Sequence, residues 1–189
     1  ATASLLSILG LAQYFGWAEH LVPTAGLPSA TLGHRNMAAA YLVCTLPFAV
    51  YFYADSSRGR DVWLWGIGVG LQGAFLLATR SRGAWVAAAV AAGLWGGMAL
   101  KARKLRLKAS PGWRQRALSL VAILVLIAAP MIVPADIEKG AGEAMWEGKR
   151  SVSESVSSIL QPGGDQGRLA LWSRTLEIIA DQPIMGIGA

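Results

Sequence analysis

Arginine is the residue type in this chain best suited to chemistry, and it recurs in three settings. Segment 79–83 reads Thr-Arg-Ser-Arg-Gly, with Arg80 and Arg82 in a short turn between two long uncharged runs. Arg168 opens a later amphipathic stretch, with Trp172 one turn further on. His34 and Arg35 precede another apolar run. A guanidinium presents a planar fork of donors that matches phosphate oxygens two at a time, so it suits a pyrophosphate better than a point charge does. Arg168 falls in the first turn of its predicted helix, where the dipole disfavours a cation and a bound anion would reverse the sign. Competing readings exist for each. Arg80 and Arg82 could snorkel to lipid phosphates, Arg168 could be a solvated surface residue, and His34 and Arg35 could simply start a helix at the membrane interface. Arg174 lies on a different face from Arg168, where the solvated reading is favoured.

These residues are positioned by apolar segments. Of 189 residues, 54% are hydrophobic and 15% charged, against about 25% charged in a soluble domain. The apolar residues are gathered into runs at 2–17, 37–53, 62–78, 84–100 and 117–133, none containing Asp, Glu, Lys, Arg or His. The fold class expected is therefore all-α, a polytopic transmembrane bundle of about five spans. Pro47 should bend the second span. Gly93, Gly96 and Gly97 should let the fourth approach a neighbour closely.

The loops set the orientation. Loop 55–61 holds Arg58 and Arg60, and loop 101–116 holds seven Lys and Arg residues without an acid. Two spans separate these loops, so they share a side, which the positive-inside bias makes cytoplasmic. The loops at 19–36 and around Arg82, with the tail after residue 133, then lie outside. Domain boundaries follow: 1–133 a transmembrane bundle, and 134–189 a tail on the outer side with amphipathic helices. That tail carries eight acids against five Lys or Arg residues. Helical character is expected around 136–149, a Ser-rich stretch at 151–158, and a helix at 167–180 capped by Asp165 and ended by Asp181-Gln182-Pro183. Leu169, Trp172, Leu176 and Ile179 share one face of it, which should lie on the outer end of the bundle.

Several function classes are excluded. Cys44 is the only cysteine and His20 and His34 the only histidines, so no metal-ligand spacing exists. Net charge +6 has its source in loop 101–116, which suits anionic lipid heads rather than nucleic acid. Ser81 lacks the surroundings of a serine nucleophile, and Gly186-Ile187-Gly188 is an isolated Gly-x-Gly. Uncharged spans argue against an ion-coupled transporter.

Three segments, in order and sidedness, resemble one family. Segment 30–42 (Ala-Thr-Leu-Gly-His-Arg-Asn-Met-Ala-Ala-Ala-Tyr-Leu) resembles its loop entering a span, 79–85 (Thr-Arg-Ser-Arg-Gly-Ala-Trp) its Ser-Arg-Gly-x-Trp turn, and 168–188 its Arg-x-x-x-Trp helix and Asp-x-Pro-x-x-Gly-x-Gly exit. The family is the O-antigen ligase and polymerase superfamily of bacterial inner-membrane glycan-transfer proteins. The resemblance implies glycan transfer from undecaprenyl pyrophosphate, at the periplasmic face, with no metal or other cofactor, and makes 134–189 the start of a large periplasmic loop. The acceptor is lipid A core for a ligase, or a second lipid-linked glycan for a polymerase. Arg82 and Arg168 match the two arginines that hold the pyrophosphate, and Arg80, Trp172, His34 and Arg35 join them as candidate substrate-binding residues. The family's catalytic histidine is expected beyond Ala189, which makes 189 residues an internal fragment, inactive alone. A membrane transporter, a role proposed for some members, and a lipid-phosphate-binding scaffold are the alternatives from other classes.

Overall fold

The computed structural model describes residues 1–18, 21–22, 28–101, 113–133 and 168–183. The described elements are all helices: α1 Thr2–Tyr14, α2 Arg35–Asp55, α3 Gly59–Ala78, α4 Arg82–Lys101, α5 Trp113–Ile132 and α6 Arg168–Asp181. The all-α expectation holds. The chain divides into two compact units, Ala1–Glu154 and Ser155–Ala189; α1 to α5 belong to the first and α6 to the second.

Among the described residues, α2, α3 and α5 are long and apolar enough to cross a membrane. At 1.5 Å per residue, about 20 residues are needed for a hydrocarbon core of about 30 Å. α4 has 20 residues and is uncharged from Gly83 to Leu100. The first expected span, 2–17, is shorter than the sequence suggested: α1 has 13 residues and stops at Tyr14. The other helices reach past their apolar runs into flanking polar residues, so α2 begins at Arg35 and α4 at Arg82. α2 continues through Pro47.

α3 is the centre of the bundle. α1 and α5 run parallel to it and α2 antiparallel, as shown by the pairings Ser4 with Gly68, Ser119 with Gly66 and Tyr53 with Gly66. Close approach depends on absent side chains at Gly10, Gly59, Gly70 and Gly73. A Cβ on Gly70 would sit 2.7 Å from Leu126 Cδ1, and one on Gly10 would overlap the Phe75 ring. The glycines expected to serve in this way behave otherwise. A Cβ on Gly93, Gly96 or Gly97 of α4 meets nothing within 4 Å, because α4 leaves the bundle along most of its length.

Polar side chains link helices inside the bundle. Thr45 Oγ1 of α2 donates to Gln72 Oε1 at 3.0 Å, and Gln72 Nε2 donates to the Gly68 carbonyl at 3.2 Å. Burying an amide without partners would cost several kcal/mol in hydrocarbon, about the penalty these bonds avoid. Large apolar side chains face outward, including Leu64 of α3 and Leu118, Val121, Leu124 and Val125 of α5. That is the pattern of a helix bundle whose solvent is lipid.

Candidate functional site

Helix polarity assigns the termini of α1 to α5 to one of two ends of the first unit. The end carrying the α3–α4 turn, called here the Arg82 end, gathers the last turns of α1, α3 and α5 and the first turns of α2 and α4. A buried cluster of Tyr14, Ala30, Ala38, Ala39, Leu42, Phe75, Leu76 and Ala78 joins these termini, with Ala84, Trp85 and Ala88 of α4 packed against it. The opposite end, called the Arg116 end, holds the α2–α3 connection and the start of α5.

The floor of the Arg82 end is fixed by two residues of α1. Gln13 is fully buried. Its Oε1 accepts from the backbone N–H of Ser29 at 3.0 Å and of Ala30 at 2.7 Å, and its Nε2 donates to the Ala30 carbonyl at 3.1 Å. Ala30 has φ 53°, a left-handed conformation that disfavours an L-residue by about 1–2 kcal/mol. Three hydrogen bonds to one amide offset that. Tyr14 O–H donates to the Pro130 carbonyl at 3.0 Å. A helix extending past Ile132 could not satisfy that carbonyl, because residue 134 is a proline without an N–H.

The three sequence-predicted residues nearest this floor sit differently. His34 is the N-cap of α2, and its Nδ1 accepts from the Asn36 N–H at 3.1 Å. This is the helix-starting role, with the ring's other nitrogen left to act as a donor. Arg35 is the first residue of α2 and is half-buried. Arg80 is buried, at 9% exposure, with φ 52°. It makes the turn rather than lying on the surface.

Arg82 is the first residue of α4 and is half-buried. The Ser81 carbonyl accepts from the Trp85 N–H at 3.1 Å, so Ser81 stands at the N-cap position. The turn leaves one carbonyl of α3 in an unusual state. In a continuing helix Leu76 would accept from the N–H of residue 80, but Arg80 N–H turns to Leu77 at 3.0 Å. Thr79 Oγ1 and Trp85 Nε1 supply the Leu76 carbonyl instead, at 2.7 and 3.0 Å.

In the second unit, Arg168 is the first residue of α6. The amphipathic face predicted for this helix is present, with Trp172, Leu176 and Ile179 exposed at 59%, 65% and 52%. The helix tracks the expected 167–180 within one residue. The stretches expected at 136–149 and 151–158, and the Asp165 cap, lie outside the described residues. Arg82 and Arg168 belong to different units and are placed here only within each.

A common feature emerges. α2, α4 and α6 each begin with an arginine, and none carries an acid in its first turn. Cations at helix N-termini are unfavourable by about 0.3–1 kcal/mol each. The dipole at a helix N-terminus favours an anion. Among the described residues no group of three or more His, Cys, Asp or Glu could hold a metal.

A family model described as O-antigen ligase matches residues 67–189. The chain belongs to the O-antigen ligase family. The match takes in the 79–85 turn and the 168–188 segment, the two carrying Arg82 and Arg168. No curated protein and no solved structure matches the chain. Family and fold together establish a membrane protein of O-antigen ligase or polymerase type.

Sequence reasoning missed Gln13 and gave Trp85 no role of its own. An amide within an otherwise apolar run was the available signal for Gln13. For Trp85 the signal was its place closing the Ser-Arg-Gly-x-Trp turn, but its partner, the Leu76 carbonyl, lies across that turn.

Proposed function

We propose that this family member transfers a glycan from undecaprenyl pyrophosphate to an acceptor hydroxyl at the periplasmic face of the bacterial inner membrane. The observation that carries the reading is the family match over residues 67–189, which takes in both Arg82 and Arg168. These two and Arg35 each open a helix, at the end whose dipole favours an anion. A diphosphate turns each of these placements into an attractive one. Arg82 and Arg168 grip the pyrophosphate, Arg80 and Arg35 add positive potential around it, and Trp172 packs against sugar or lipid. His34 caps α2 and offers its remaining N–H to the same anion.

The chemistry needs little more. The acceptor oxygen attacks the anomeric carbon as the carbon–oxygen bond to pyrophosphate breaks, and the acceptor proton passes to a general base. The lipid pyrophosphate leaves with an added negative charge. Fixed guanidiniums stabilise that charge where it develops. The acceptor is lipid A core for a ligase and a second lipid-linked glycan for a polymerase.

Testing requires the complete protein and a strain lacking it. Arg82→Lys and Arg168→Lys should each abolish complementation, because an ammonium cannot reproduce the bidentate fork. Full glycan transfer by both variants would overturn the site. Lipopolysaccharide gels separate the acceptors: core without O-antigen marks a ligase, and core bearing one repeat marks a polymerase.

A further inference from the structure

We infer that Trp85 is a positioning residue for Arg82, acting through the Leu76 carbonyl. The inference rests on the proposed role of Arg82 as an anion ligand. α4 is held at its start and little elsewhere. Ala84, Trp85 and Ala88 pack on the buried cluster. Further along, Val86, Val90, Leu94 and Met98 are exposed, and the space beside Gly93, Gly96 and Gly97 is open. The direction of the first turn of α4, and with it the aim of Arg82, is therefore decided at the α3–α4 junction.

A side-chain bond of Trp85 crosses that junction into the first turn of α4. Trp85 Nε1–H donates to the Leu76 carbonyl at 3.0 Å, two residues before the end of α3. The acceptor is rigid. Leu76 is 5% exposed, and its carbonyl is already engaged by the fully buried Thr79 at 2.7 Å. Arg82 and Trp85 lie three residues apart on one helix, so they are neighbours on its surface. A small swing of the indole about its anchor displaces the guanidinium by a comparable amount. Displacements of about 1 Å matter greatly for a ligand that must meet fixed phosphate oxygens.

The doubled donor makes the idea testable. Trp85→Phe keeps a ring in the packed position and removes the N–H, while the Leu76 carbonyl keeps its bond from Thr79. The substitution should therefore spare the fold and loosen the aim of Arg82. The probe is undecaprenyl pyrophosphate, titrated against the complete protein in nanodiscs. Four forms are compared: wild type, Trp85→Phe, Arg82→Lys and the double variant.

Trp85→Phe should weaken binding by about tenfold with an unchanged melting midpoint, and should add nothing further in the Arg82→Lys background. Trp85→His, which retains a ring N–H, should recover part of the loss. Wild-type binding by Trp85→Phe overturns the inference, and so does an equal loss in both backgrounds. A fall in melting midpoint that accounts for the loss also overturns it, since that marks a purely structural role. Wild-type binding by Arg82→Lys instead removes the Arg82 reading itself. Weakened binding by Arg82→Lys beside a neutral Trp85→Phe leaves that reading standing and removes only the inference.

Discussion

Arginines stand in the first turns of helices at both ends of the bundle, Arg114 and Arg116 in α5 at one and Arg35 and Arg82 in α2 and α4 at the other. The ends differ in that the Arg116 end also brings a guanidinium to a helix C-terminus. At the Arg116 end, Arg116 Nη2 donates to the carbonyl of Ser56, the C-cap of α2, at 2.8 Å. A cation there complements the negative end of the α2 dipole. α3 starts at the same end with Asp61 in its first turn, again the favourable sign. Tyr53 and Ser119 share a hydrogen bond of 2.7 Å nearby, and Phe52 stacks on Trp65 with centroids 4.6 Å apart. At the Arg82 end neither α2 nor α4 has an acid in its first turn. Arg35 and Arg82 stand at the positive starts of α2 and α4. At the Arg116 end a cation closes the fold against a helix C-terminus, and in the proposed reading an external anion meets the cations of the other end.

The sharpest way to break this contrast is to make the same exchange at both ends. Arg82→Lys should reduce glycan transfer by about 10²-fold, the scale seen when a charge-stabilising donor is lost. Arg116→Lys should retain most activity, since an ammonium can still donate to the Ser56 carbonyl. Comparable losses in a transfer assay would erase the distinction. The floor of the Arg82 end comes next. Gln13→Leu leaves the Ser29 and Ala30 N–H groups and the Ala30 carbonyl without their partner, and should lower stability by about 2–3 kcal/mol, read from unfolding in mixed micelles. Gly70→Ala should follow at about 1–2 kcal/mol, because its new methyl presses on Leu126. Gly96→Ala in open space should stay within about 0.5 kcal/mol. At the Arg116 end Tyr53→Phe removes one interhelical bond, for a loss of about 0.6 kcal/mol by the same unfolding measurement.

Helix placement was largely legible in the residues. Runs of 17 uncharged residues on either side of segment 79–83 mark α3 and α4, because hydrocarbon requires every backbone group to be satisfied within a segment. The first helix was the exception. Apolar character continues to Trp17, yet α1 ends at Tyr14, where Gln13 and Tyr14 turn to long-range partners. The α4 glycines misled for a related reason. Small residues permit close approach but do not supply a neighbour, and the close packing went to Gly10 and Gly70 instead.

By itself the chain determined its helices, the turn that presents Arg82 and the family it resembles, since these depend on local composition and short spacings. Only the tertiary structure decided that Gln13 holds a turn 16 and 17 residues away, that Tyr14 reaches a carbonyl 116 residues away and that Trp85 ties α4 to α3. Hydrogen-bond donors and acceptors are common to many residues, and which of them meet is settled by how the helices pack.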